Sequence, residues 1–205
     1  MEIFSNTGLI NIINTAGLLG IFGIVFAESG LLIGFFLPGD SLLFTAGFLA
    51  SQNFINIYLL LIVTFVAAVI GDNVGYAFGK KVGPKIFSRE DSWLFHKENL
   101  NKAYAFYQKY GPLTIVLSRF TPIVRTFAPI VAGAGQMDYK VFFFYNIAGG
   151  LAWTLLLTLS GFFLGEIIPN VDKYLLPIVV VIVVGSLIPS VYHIVKERMK
   201  QKNAK

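Results

Sequence analysis

Two arginines, Arg119 and Arg125, stand inside an apolar run that reaches from Leu113 to Gly135. A guanidinium stays charged under all ordinary conditions. Placing one at the centre of a bilayer costs at least ~2.5–3.5 kcal/mol on the most lenient scale. Between the two lies Pro122, and Pro129 follows. A proline removes a helix donor and clashes with the preceding turn, so a straight continuous span is a poor description of this stretch. Irregular backbone at membrane depth is admissible only where protein or a wet cavity covers it. Residues 113–135 therefore read as a broken helical hairpin, and the rest of the chain must supply what its arginines face.

Composition sets the solvent. Of 205 residues, 56% are hydrophobic and only 13% charged, about half the charge of a soluble domain, so the chain reads as a polytopic membrane protein with a single domain over 1–205. With no cysteine there is no disulfide framework, thiol nucleophile or thiolate metal site. The net charge of +5 comes from clusters. Seven of the sixteen basic residues fall between Lys80 and Lys109, and five lie between Lys196 and Lys205. Clusters at membrane edges are topology signals and contacts for anionic lipid headgroups, and no nucleic acid is implied. Glu2 is the only charge near the N-terminus, so no signal peptide is read there and the first apolar run is expected to be retained.

Along the chain, Gly8 to Ala27 is long enough to cross a bilayer as one helix. Glu28 to Ala50 is apolar too but carries Pro38-Gly39 and then Asp40. It reads as a first re-entrant hairpin, 28–50, with a loop between two interfacial helices as the alternative. Phe54 to Phe78 is a second span, whose Gly71, Gly75 and Gly79 form a smooth stripe for close helix packing. Asp72 sits beside that stripe. It reads either as an interfacial carboxylate paired with Lys80 or Lys81 or as a functional acid. Residues 80–109 form a cytoplasmic loop with an amphipathic surface helix, its aromatic face at headgroup depth. His96 has no second ligand nearby and reads as solvated, so no metal or cofactor is expected. Val141 to Gly165 and Tyr174 to Tyr192 are the third and fourth spans, and 193–205 is a basic tail.

Placing both basic clusters in the cytoplasm puts both termini inside and the protein in the cell membrane. The two hairpins then enter from opposite faces, each followed by a span. The expected fold is an all-α integral membrane protein: an inverted repeat of two re-entrant hairpins and about four spanning helices, with a surface helix. A loose internal match supports the repeat, Thr45-Ala46-Gly47 in one half against Val131-Ala132-Gly133 in the other. One hairpin brings Glu28 and Asp40 and the other Arg119 and Arg125, and these four can compensate one another.

The ordered motifs E-S-G-L…F-L-P-G-D-S-L-L-F, G-D-N-V-G-Y-A-F-G-K-K-V-G, and R-F-T-P-I-V-R with A-G-A-G resemble the DedA family of membrane proteins, over about Gly20 to Gly165. The resemblance implies paired re-entrant hairpins and a role in moving lipids between leaflets. The family it resembles includes translocases of undecaprenyl phosphate or phosphatidylethanolamine, and its eukaryotic relatives act as scramblases. It places functional acids on Glu28 and Asp40 and functional arginines on Arg119 and Arg125, and it does not fix the lipid.

From the residues themselves, two arginines can hold a phosphate headgroup by forked hydrogen bonds. Protonation of Glu28, Asp40 or Asp72 offers a coupling to protons. A proton-coupled transporter of ions or small solutes is the competing reading, although two obligate cations repel cationic substrates. An enzyme acting on lipid phosphate wants a nucleophile or metal cluster that the sequence does not offer, and a structural assembly protein is the remaining alternative. The oligomeric state stays open, a homo-oligomer included.

Overall fold

The computed structural model describes residues 6–31, 37, 39–86, 105 and 107–167. All described elements are helical. They are α1 (Asn6–Gly30), α2 (Gly39–Ser51), α3 (Ile57–Ile86), the short α4 (Thr114–Leu117) between two 3-10 turns, α5 (Pro122–Ala134) and α6 (Tyr139–Ile167). Pro38, most of the 80–109 loop, the fourth span and the basic tail fall outside the described residues.

Among the described residues, two helices are long and apolar enough to cross a membrane, over Ile57–Val82 and Tyr139–Ile167. Each begins on a side-chain cap. Asn56 Oδ1 accepts the N–H groups of Tyr58 and Leu59, and Asp138 Oδ1 accepts those of Lys140 and Val141, which satisfies donors a helix start leaves open. Their outer faces carry Tyr58, Ile62, Phe144, Leu156 and Phe163, all more than half exposed, as suits helices solvated by lipid.

Two boundaries differ from the sequence reading. Helix α1 runs unbroken through Glu28 to Gly30, so the first three residues of the expected hairpin belong to the same helix as the first apolar run. Nothing between Gly20 and Gly30 breaks a helix, and a carboxylate alone does not. Helix α3 likewise continues past Lys80 and Lys81 to Ile86, because lysines are good helix formers.

In the arginine stretch the break falls at Thr121, whose backbone is extended (φ −127°, ψ 104°). The residue before a proline avoids the helical region, and Pro122 then opens α5 at the position where a missing N–H costs least. Pro129 lies inside the continuing helix.

Helix α2 packs mainly on α6, and α5 mainly on α3. Glycines set both contacts. A Cβ on Gly161 would run into the Phe44 carbonyl, and one on Gly47 into that of Thr158. Across the other pair, a Cβ on Gly79 would strike Ile130 backbone and one on Gly133 the Tyr76 carbonyl, while Gly75 faces Pro129. Gly71 meets the backbone of Gly30 on α1. The stripe Gly71–Gly75–Gly79 thus serves two neighbours at once.

Val25, Leu43, Ala46, Leu60, Ala67 and Trp153 belong to one core cluster. Tyr76, Ile115, Ala132 and Phe142 form a second cluster. There Tyr76 stacks on Phe142 at 4.4 Å and donates its hydroxyl to the Met137 carbonyl at 2.5 Å.

Gly161→Val is expected to force α2 and α6 apart and lower stability by about 1–3 kcal/mol or more, read as loss of monodisperse protein after detergent extraction. Gly20→Ala, where a Cβ meets nothing within 4 Å, should extract like the unaltered protein.

Candidate functional site

Each charged residue reaches the protein interior from a different helix. Glu28 lies near the end of α1, Asp40 in the first turn of α2, Asp72 in the middle of α3, Arg119 in the 3-10 turn before the break and Arg125 in the first turn of α5. Glu28, Asp72, Arg119 and Arg125 are all buried, whereas the Asp40 side chain is 46% exposed. The charges form two centres.

In the first centre, Arg125 Nη2 donates to Glu28 Oε1, and Nη1 donates to Asp40 Oδ1 at 2.6 Å. A cation near a helix N-terminus is opposed by the helix dipole, and two carboxylates offset that here. Asp40, as an acid in the first turn of α2, is favoured by the same dipole. Gly39 leaves room for this centre, since a Cβ there would overlap the Glu28 carboxylate and force it to move.

In the second centre, Arg119 Nη2 donates to Asp72 Oδ2 at 2.5 Å and to Asn146 Oδ1 at 2.6 Å. This overturns one of the two sequence readings of Asp72, the interfacial carboxylate paired with a lysine. It is 2% exposed and holds an arginine. It also corrects the expectation that Glu28, Asp40, Arg119 and Arg125 compensate one another as one set. Of the two arginines, Arg125 is the one bonded to Glu28 and Asp40.

Two α6 residues complete the arrangement, and sequence reasoning assigned neither to the site. Trp153 stands between the centres. Its ring centroid lies 5.2 Å from the Arg125 guanidinium carbon and 6.0 Å from that of Arg119, within range of attraction to the ring face. Its Nε1–H donates to Asp40 Oδ1 at 2.9 Å. Asn146, fully buried, is the other. The α6 backbone comes close enough because Gly149 and Gly150 abut the Arg119 side chain. The signal was present: Asn146, Gly149, Gly150 and Trp153 fall on one helix face.

Donors remain in hand. Arg119 Nε and Nη1, Arg125 Nε, Glu28 Oε2 and Asp72 Oδ1 are buried without a partner among the described residues. Each ion pair engages through single oxygens where a carboxylate offers two. The guanidinium N–H groups among them can take up ligand oxygens without first losing every protein contact, whereas the two carboxylate oxygens can only accept. No cluster of three or more His, Cys, Asp or Glu suited to a metal ion occurs among the described residues.

Trp153→Phe keeps an aromatic face and removes the N–H to Asp40. Stability is expected to fall by about 0.5–1.5 kcal/mol in thermal unfolding in detergent, and by much less in an Asp40→Asn background.

The VTT domain model matches residues 37–163, more than half of the chain. The chain is 46% identical over 180 residues to Protein DedA of Escherichia coli (strain K12), covering 87% of this chain and 82% of that protein. It is 41% identical over 199 residues to an uncharacterised membrane protein of Mycobacterium tuberculosis (strain ATCC 25618 / H37Rv), covering 96% and 87%. To the inner membrane protein YqjA of Escherichia coli (strain K12) it is 34% identical over 181 residues, covering 82% and 81%. No solved structure gives a significant match.

Proposed function

The chain belongs to the DedA family of VTT-domain membrane proteins, and from that premise we propose that it moves a phosphate-bearing lipid between the leaflets of the cell membrane. The observation that carries this reading is Arg125, buried among helices and held by two carboxylates of which one, Asp40, is partly open. A phosphate headgroup entering beside Asp40 competes with that carboxylate for the same donors, and a guanidinium fork suits phosphate better than an ammonium does. Glu28, Asp40, Arg119 and Arg125 are the headgroup residues in this reading. Undecaprenyl phosphate and phospholipids both offer the chemistry, and their tails can stay in the bilayer.

The same reading takes α1–α2 and the broken α4–α5 stretch as re-entrant hairpins of an inverted repeat. The cross-packing of α2 on α6 and of α5 on α3 supports it, each short helix resting on the long helix of the other half. Inverted repeats place substrates at the membrane midplane beside broken helices.

Proton coupling is a further part of the proposal. Three carboxylates face two guanidiniums, and an added proton on Glu28 or Asp40 would release Arg125 to a headgroup. That surplus carboxylate is also what favours the second reading, a proton-coupled transporter of ions or small solutes. Headgroup-selective translocation in proteoliposomes separates the two. Tail-labelled lipids bearing a phosphate should be moved by the unaltered protein and not by Glu28→Gln, while a phosphate-free glycolipid is not moved. Movement of both lipids alike, or of neither, removes the lipid-translocase reading. Phosphate-lipid movement indifferent to an imposed pH gradient removes the proton coupling alone.

A further inference from the structure

The two arginines are held differently, and the difference lies in one neutral residue. Arg125 has a carboxylate on each of its two Nη nitrogens. Arg119 uses a single nitrogen, Nη2, and gives one of its two hydrogens to Asp72 and the other to Asn146. The Asn146 amide can point only one way. Its Nδ2 lies 3.1 Å from the Val69 carbonyl, which can only accept, so the NH₂ must face Val69 and the oxygen must face Arg119. The same carbonyl accepts from Asn73 Nδ2 at 2.7 Å, and Asn73 Oδ1 accepts from the Tyr139 hydroxyl at 3.0 Å. The amide is therefore fixed from behind by α3, which Tyr139 at the start of α6 holds in turn.

Charge explains why an amide suits this position. Glu28, Asp40 and Asp72 already outnumber Arg119 and Arg125, and a phosphate adds more negative charge. A carboxylate in place of Asn146 would anchor Arg119 equally well but cancel its attraction for an anion. The amide anchors it without that loss, and Arg119 Nε and Nη1 stay buried and unpartnered among the described residues.

We infer that Asn146 is a positioning residue for an anionic headgroup: with Asp72 it holds Arg119 by Nη2 alone, so the guanidinium keeps its charge and its Nε–H and Nη1–H donors for phosphate oxygens. The inference rests on the lipid-translocase reading and assigns to Arg119 the fixed half of the headgroup site, Arg125 being the half that exchanges partners.

Asn146→Asp tests it, because a protonated aspartic acid restores what the amide supplied: a donor to Val69 and a neutral acceptor for Arg119. The groups facing that position are Asp72 on α3 and Arg119 before the break, with Glu28, Asp40 and Arg125 beyond Trp153. Each rate is therefore compared with the unaltered protein at the same pH. The probe is tail-labelled phosphatidic acid in proteoliposomes.

The expected result is movement at least about tenfold slower than the unaltered protein at neutral pH, a difference of ~1.4 kcal/mol, regained on acidification. Asn146→Leu should be slow at both pH values. Folded Asn146→Asp with unchanged movement, or with a loss that acid does not restore, overturns the inference while leaving the translocase reading in place. If the unaltered protein moves no phosphatidic acid while moving neither phospholipid nor prenyl phosphate, the translocase reading falls and this inference with it. Should Asn146→Asp fail to fold, Asn146→Ser, a shorter neutral acceptor, must outpace Asn146→Leu, and equal rates in those two overturn it.

Discussion

Arg125→Ala is expected to stop lipid movement and to lower stability by about 3–5 kcal/mol, the usual cost of leaving one side of a buried ion pair uncompensated. Glu28 is 2% exposed and would keep a charge with no guanidinium beside it. Thermal unfolding in detergent measures the stability loss, and proteoliposome flipping measures the transport loss. The two separate in the double variant Arg125→Ala/Glu28→Gln. Removing the stranded charge should recover a large part of the stability and none of the transport. Arg125→Lys should fall between, since a lysine offers a point charge without the planar fork or the stacking on Trp153.

Asp72→Ala is expected to be comparably damaging to the fold, again by about 3–5 kcal/mol. Arg119 is 1% exposed, and its remaining described side-chain hydrogen bond is to the neutral Asn146. Asp72→Asn, which keeps an acceptor and removes the charge, should cost less. A double-mutant cycle with Arg119→Met should give a coupling energy within the ~0.5–3 kcal/mol seen for residues in contact, at the upper end of it. A coupling near zero would mean that Asp72 and Arg119 are stabilised separately.

How far these partners were legible in the sequence depends on chain distance. That Arg119 and Arg125 need compensation follows from charge in an apolar run, and Glu28 and Asp40 were natural candidates because few other charges interrupt the hydrophobic segments. The partner of Asp72 was not legible. The nearest cations along the chain are Lys80 and Lys81, but they lie about two turns further along α3. Arg119 sits 47 positions away and is brought in only by the packing of the broken stretch. Trp153 and Asn146 were hidden differently. In an apolar span a tryptophan suits packing, and an asparagine is a minor interruption. Only the orientation of α6 shows that both face the arginines. The unbroken course of α1 through Glu28 is hidden in the sequence because a carboxylate in an apolar run looks like a boundary. The Thr121–Pro122 break was legible because proline chemistry acts locally.

When a phosphate headgroup takes over donors of Arg125, Trp153 beside it reports the exchange directly. Its ring faces the Arg125 guanidinium and its N–H bonds Asp40, so a change of partner at either alters its surroundings. With Trp93, the other tryptophan in the sequence, replaced by phenylalanine, the emission of purified protein would be followed during titration with phosphatidic acid and with a phosphate-free glycolipid of the same tails. A saturable emission shift with the phosphate lipid alone, absent in Arg125→Ala/Glu28→Gln, is the predicted result. The same response to both lipids, or a flat titration with the phosphate lipid, would show that no phosphate headgroup exchanges onto Arg125.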